Sequence, residues 1–180
     1  PYEIYITGDR LETRAYSEFG GIFRMKIWKN KVDDFFKWIK GTELVELDNI
    51  DVSEDPVRPE LTLGFRITHG RKIFGLKYND EIEAIICVAF CPEIPYTVRE
   101  MDYMSRVDNG EIAIAYTVWS RKRGAGREII IKLREWVIKN NYKRLVTLSP
   151  LTPMATHFHI KNGAKQIKVS EDTQNFEYKL

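Results

Sequence analysis

A chain of 180 residues, 43% hydrophobic and 30% charged, with 11 glycines and 7 prolines, suits one folded domain with a sizeable core. It excludes a disordered or fibrous protein. The 28 basic and 26 acidic residues leave a net charge of +2, so the whole-chain balance points to neither nucleic acid nor any other charged partner.

Tyr2–Thr7 alternates and is rich in β-branched residues, which predicts a first strand. Residues 9–31 leave alternatives open: Gly20-Gly21 breaks any helix, and Ile22–Trp28 fits a second short strand. Val32, Phe35, Phe36 and Ile39 recur at helical spacing, so Val32–Lys40 is expected as a helix whose aromatic face is packed. Leu44–Leu47 fits a short strand. Asp48–Glu60 carries Asp48, Asp51, Glu54, Asp55 and Glu60 with two prolines, and is expected as an exposed connector. Glu60–Thr68 alternates like a strand, and His69-Gly70 then turns the chain.

Lys72–Tyr78 and Glu81–Phe90 form a predicted hairpin across Asn79-Asp80. Cys87 and Cys91 fall at its end. They are too few for a zinc quartet or a disulfide scaffold, and are expected as reduced, buried thiols. Pro92–Asn109 is expected as a loop, with or without one short helix. Glu111–Trp119 is a buried strand, followed by a tight glycine loop and by an apolar-periodic helix from Gly126 to Asn140 (Ile129, Ile130, Leu133, Trp136, Val137). A short strand at Leu145–Leu148 and a helix ending at Asn162-Gly163 come next. A hairpin of Gln166–Val169 with Phe176–Leu180 closes the order. One right-handed crossover makes the strands at 111 and 145 parallel neighbours. The fold class expected is a mixed α/β (α+β) sheet with flanking helices. No apolar run approaches the roughly 20 residues that span a bilayer, and no signal-type stretch opens the chain, so a soluble, cytoplasmic protein without membrane partners is expected.

A strand, a glycine loop and a helix start in that order make an anion site, because main-chain N–H groups converge where the helix dipole favours negative charge. Arg121, Lys122, Arg123 and Arg127 surround this one, so the ligand should carry phosphates. No Lys-Ser or Lys-Thr follows Gly126, which excludes a Walker A loop; Ile129 stands where a dinucleotide fingerprint needs a third small residue.

Arg121-x-x-Gly124-x-Gly126 resembles the Q/R-x-x-G-x-G/A signature of the GNAT superfamily of acyl-CoA-dependent N-acetyltransferases. Ala155-Thr-His-Phe158-His159-Ile-Lys161-Asn-Gly163-Ala164 is similar to that family's A-x-x-L-Y-x-K-x-G-F segment. The resemblance covers about the last 110 residues; residues 1–70 are divergent. It implies a splayed pair formed by the family's fourth and fifth strands, here 111–119 and 145–148, with acetyl-CoA as co-substrate and no metal. The amides of Arg123, Gly124, Ala125, Gly126 and Arg127 would hold the pyrophosphate, with charge from Arg121 and Lys122. Thr117, Val118 and Trp119 would pair with pantetheine, and the Val118 N–H would polarise the thioester carbonyl.

The sequence departs from the pattern at His159, where the family has a tyrosine acid, at Ala164 for phenylalanine and at Thr152 for asparagine. A cationic His159 would donate the proton to the leaving thiolate; the alternative is a structural histidine. Glu111 is the candidate base, ahead of Glu93, Glu100 and Asp102. His157 and His159, two apart on a helix, point away from each other and cannot clasp one metal. The expected activity is acetyl transfer to an amine on a small molecule or protein, by direct attack, in a monomer or homodimer. Two rivals remain: a GNAT-fold binding module without transfer chemistry, and a nucleic-acid-binding or modifying protein using the basic loop.

Overall fold

A computed structural model describes residues 2–7, 10–16, 22–27 and 41–180. The helix expected at Val32–Lys40 and the Gly20-Gly21 break lie outside them. The chain divides into two compact units, Pro1–Thr42 and Glu43–Leu180. The smaller is an antiparallel meander of β1 (Tyr2–Thr7), β2 (Arg10–Tyr16) and β3 (Ile22–Ile27). Its registers run Thr7↔Arg10 and Tyr16↔Ile22. The middle strand falls where the sequence left the structure open.

The larger unit is built on β4 (Glu43–Leu47), β5 (Arg71–Tyr78), β6 (Glu81–Cys91), β7 (Ile112–Ser120), β8 (Arg144–Thr147), β9 (Ser149–Pro150), β10 (Ala164–Val169) and β11 (Thr173–Tyr178). Their order is β10-β11-β8-β7-β6-β5-β4, with β9 also on β11. All neighbours are antiparallel except β7 and β8. This core begins before residue 71, because β4 pairs along β5 from Glu43↔Lys77 to Leu47↔Ile73. Asn79 and Asp80, with φ of 45° and 69°, supply the two left-handed residues of the tight β5–β6 turn.

Helices cover both faces, so β6 is buried from Glu83 to Cys91 and shows no polar alternation. On one face α3 (Ala125–Lys139) buries Ile129, Ile130, Leu133 and Val137 against Phe74, Ile86 and Val88. Trp136 and Tyr142 stack with Phe90 beside them. On the other face α1 (Leu63–Ile67) and α2 (Val98–Met104) cover Ile85, Cys87 and Ile114. α4 (Pro153–Lys161) follows β9.

One expectation is corrected and another is refined. Glu60–Thr68 is not a strand: the Thr62 hydroxyl accepts from the Phe65 N–H at 3.2 Å and caps the helical turn of α1. Residues 48–60 are mostly exposed, as expected of a connector, with two exceptions. Asp55 and Arg58 are buried there, and Asp55 pairs at 2.7 Å with Arg66, both side chains fully enclosed.

Candidate active site

The parallel β7–β8 ladder runs from Ile112↔Arg144 to Ala115↔Thr147, with the Leu148 N–H donating to the Ala115 carbonyl at 2.9 Å as the last rung. Pro150, two residues on, has no N–H to extend it. β9 turns instead to β11, with Gln174↔Ser149 and Thr173↔Pro150 paired, while β7 stays on β6. The two strands therefore part.

β7 also bulges at the fork. Its register against β6 slips from Cys87↔Thr117 to Val88↔Ala115, so Tyr116 is an extra residue. The bulge breaks the alternation: Ala115 and Val118 face α3, whereas Tyr116 and Trp119 face α1. A cavity of about 340 Å³ fills the opening between the strands. Its walls are mainly apolar, with Ile130 and Phe158 on one side and Val57 and Trp119 on the other.

Gly124 and Gly126 stand at the start of α3, and Gly126 lines the cavity. Gly124 adopts φ +86°, a left-handed turn that strains any residue with a Cβ. Among the described residues, the amides of Arg123, Gly124 and Gly126 have no acceptor. Those of Arg121 and Lys122 donate to the Glu83 carbonyl, Ala125 to Lys122, and Arg127 to Gly124. Two of the five amides expected to hold pyrophosphate are thus already engaged, at 3.2 Å each. The side chains divide as well. Arg121 pairs with Glu54 at 2.8 Å and Lys122 with Glu81 at 3.0 Å, leaving Arg123 and Arg127 without an ion pair among the described residues.

The other predicted residues separate. Val118 and Trp119 line the cavity. Thr117 lies there too, but its buried hydroxyl donates to Asp55 at 2.9 Å. His159 is on the wall, and both of its ring nitrogens are engaged: Nε2 lies 2.8 Å from Ser149 Oγ and Nδ1 2.8 Å from Tyr178 Oη. Burial pushes its pKa down to about 4, so the imidazole is neutral at physiological pH. That corrects the expected cationic donor. Ser149 Oγ donates to Thr147 Oγ1 at 3.0 Å, which places the His159 proton on Nε2 with the Tyr178 hydroxyl donating to Nδ1.

Glu111 is not on the cavity wall. It is an exposed residue paired with Lys143, four residues before Ala115 and roughly 13 Å away at the usual strand rise. Glu100 accepts from the Tyr96 N–H, and Asp102 is held by Arg71 and Arg106; neither lines the cavity. Ser149, Tyr178 and Arg58 escaped sequence reasoning. For Ser149, its place directly after the strand expected at Leu145–Leu148 is the available signal.

No protein-family model and no curated protein matches the chain. Solved structures do. An acetyltransferase from Bacillus subtilis in complex with CoA is 10% identical over 77% of this chain and 97% of its own, with a TM-score of 0.56. A GNAT family acetyltransferase from Elizabethkingia anophelis with acetyl-CoA bound is 12% identical over 77% and 98%, at 0.51. The larger unit has the GNAT fold. Its forked β7–β8 pair and mostly antiparallel sheet match the expected class. The same fold occurs in a malonyl-CoA decarboxylase from Cupriavidus metallidurans, 20% identical over 73% of this chain with a TM-score of 0.50; the chain spans only 38% of that enzyme. No helix among the described residues is long and apolar enough to cross a membrane.

Proposed function

We propose that the Glu43–Leu180 unit binds an acyl-CoA thioester, with acetyl-CoA as the simplest, and passes the acyl group to an amine. The observation that carries this is the cavity in the β7–β8 fork, bordered by a glycine-shaped helix start with three amides that have no acceptor among the described residues. The pyrophosphate would lie on the amides of Arg123, Gly124 and Gly126, beside the Arg123 and Arg127 guanidiniums. The pantetheine arm would run along Thr117, Val118 and Trp119, with the Val118 N–H at the thioester oxygen. The amine nitrogen bonds to the acyl carbon, the carbon–sulfur bond breaks, and the coenzyme leaves as a thiolate. The amine proton passes to water. The Ser149 hydroxyl, held by the Nε2–H of neutral His159, would turn from Thr147 Oγ1 to donate a hydrogen bond to the departing sulfur. A thiolate with a pKa near 8.5 leaves without an imidazolium acid.

One observation favours a second chemistry on the same thioester. Among the described residues no carboxylate lines the cavity, so nothing there takes a proton from an ammonium acceptor. Decarboxylation of a carboxyacyl-CoA needs no such base. The carbon–carbon bond breaks, carbon dioxide leaves, and the electron pair rests on the thioester enolate. The α-carbon then takes a proton from water. The likeness to the decarboxylase is one of fold and accords with this chemistry.

Titration calorimetry with CoA and acetyl-CoA tests the binding step. Absence of binding would favour a module without thioester chemistry, and salt-steep affinity for RNA or DNA would favour a nucleic-acid protein. Thiol release from acetyl-CoA with a panel of amines, set against conversion of malonyl-CoA to acetyl-CoA followed by mass spectrometry, decides between transfer and decarboxylation.

A further inference from the structure

The fork is held by a side chain from outside its own strands. Arg58 donates through Nε to the Tyr116 carbonyl on β7 and through Nη2 to the Leu148 carbonyl next to β8, each at 3.1 Å. These carbonyls lie just past the last rung of the ladder, where Pro150 prevents further pairing. The planar guanidinium presents both donors in one rigid frame. Its own position is fixed from both sides. The Arg58 N–H donates to Asp55 Oδ1 at 3.3 Å, and the Arg58 carbonyl accepts from Arg66 Nη2 at 2.7 Å. Asp55 is tied in turn to β7 through the Thr117 hydroxyl. Pro56 and Val57, from the same segment, face the cavity.

We infer that Arg58 is a specificity-determining positioning residue: by tying the Tyr116 and Leu148 carbonyls together it fixes the width of the slot that receives the acyl group, and with it the acyl-chain length accepted. This rests on the proposed acyl-CoA site. The peptide that Arg58 grips at Leu148 leads directly to Ser149, so the same contact orients the polar group on the wall. A thioether or single amine in place of the guanidinium cannot bridge both carbonyls. With no ladder bond beyond Leu148, the strands would then yield to a longer chain.

Calorimetric affinities of CoA, acetyl-CoA, butyryl-CoA and hexanoyl-CoA, measured for the full chain and for Arg58→Met and Arg58→Lys, test this. The coenzyme without an acyl group reports the phosphate and pantetheine contacts alone, so wild-type protein that fails to bind CoA overturns the site itself rather than the role of Arg58. The native protein should favour acetyl-CoA over hexanoyl-CoA roughly ten-fold, about one RT ln 10 step. Arg58→Met should compress that ratio to about two-fold while CoA affinity stays within about two-fold. Arg58→Lys, which retains the charge and serves as the second variant should the methionine variant fail to fold, should show the same compression. An unchanged chain-length profile in either folded variant would overturn the inference. So would a uniform loss of affinity for all four ligands, the mark of a merely structural contact.

Discussion

Ser149 and His159, ten residues apart on β9 and α4, meet at 2.8 Å on the cavity wall, and the far side of the imidazole is taken by Tyr178. The histidine is thereby an orienting group in a hydroxyl chain. Substituting His159 with phenylalanine should leave CoA affinity within about two-fold and lower turnover substantially. Ser149→Ala should reproduce most of that loss. Parallel losses of binding and turnover would instead make His159 a packing residue against Phe176, with which it stacks at 4.9 Å.

The same histidine makes stability depend on acid. Its folded pKa of about 4 lies below the unfolded value near 6.5, so the unfolded chain binds the proton first. The stability associated with neutral His159 is therefore complete above pH 6.5 and is lost as pH falls from 6.5 to about 4, by at most about 1.4 kcal/mol per pH unit. Urea midpoints across that range should fall less steeply for His159→Gln than for the native chain.

Asp55 and Arg66 form a pair with no exposed surface, and Asp55 also holds Thr117. Asp55→Ala leaves a buried guanidinium and a buried hydroxyl without their partner. Such a loss costs about 3–5 kcal/mol, and a denaturant melt should register it. Glu54→Ala, which removes only the half-exposed partner of Arg121, should cost under about 1 kcal/mol.

At Gly124 a methyl group meets nothing within 4 Å, so the obstacle to substitution is the left-handed backbone alone. Gly124→Ala should cost roughly 1–2 kcal/mol of stability and leave the fold intact. Gly124→Glu carries the same backbone strain and adds a carboxylate where phosphate should bind. Its CoA dissociation constant should rise on the order of a hundred-fold, nearly 3 kcal/mol.

The arginines should separate by their existing partners. Arg123→Ala and Arg127→Ala should each weaken CoA roughly five-fold, about 1 kcal/mol, and more at low salt. Arg121→Ala and Lys122→Ala should do less, because those cations already face Glu54 and Glu81. Calorimetry at two salt concentrations distinguishes the pairs.

Local chemistry made much of the larger unit legible. Asn79-Asp80 announces its turn, the apolar period of 129–137 announces α3, and Gly124-x-Gly126 announces the left-handed turn that opens it. What was hidden depended on distant partners. Leu61, Leu63 and Phe65 alternate like a strand, yet a Thr62 cap and the burial of Arg66 against Asp55 make that segment helical. Nothing local shows that Arg58 reaches carbonyls 58 and 90 residues away. Nor does the uniform apolar run of β7 reveal the bulge at Tyr116 that turns Trp119 to the opposite face.

The two cysteines have a practical consequence. Cys87 and Cys91 are fully enclosed, and burial pushes their thiols up to about 11 and about 12. They are the only cysteines in the sequence. A chromogenic disulfide reagent added to the native protein therefore meets no reactive sulfur of the polypeptide. Colour that develops with an acyl-CoA present counts liberated coenzyme alone, and a background that grows during the assay reports unfolding.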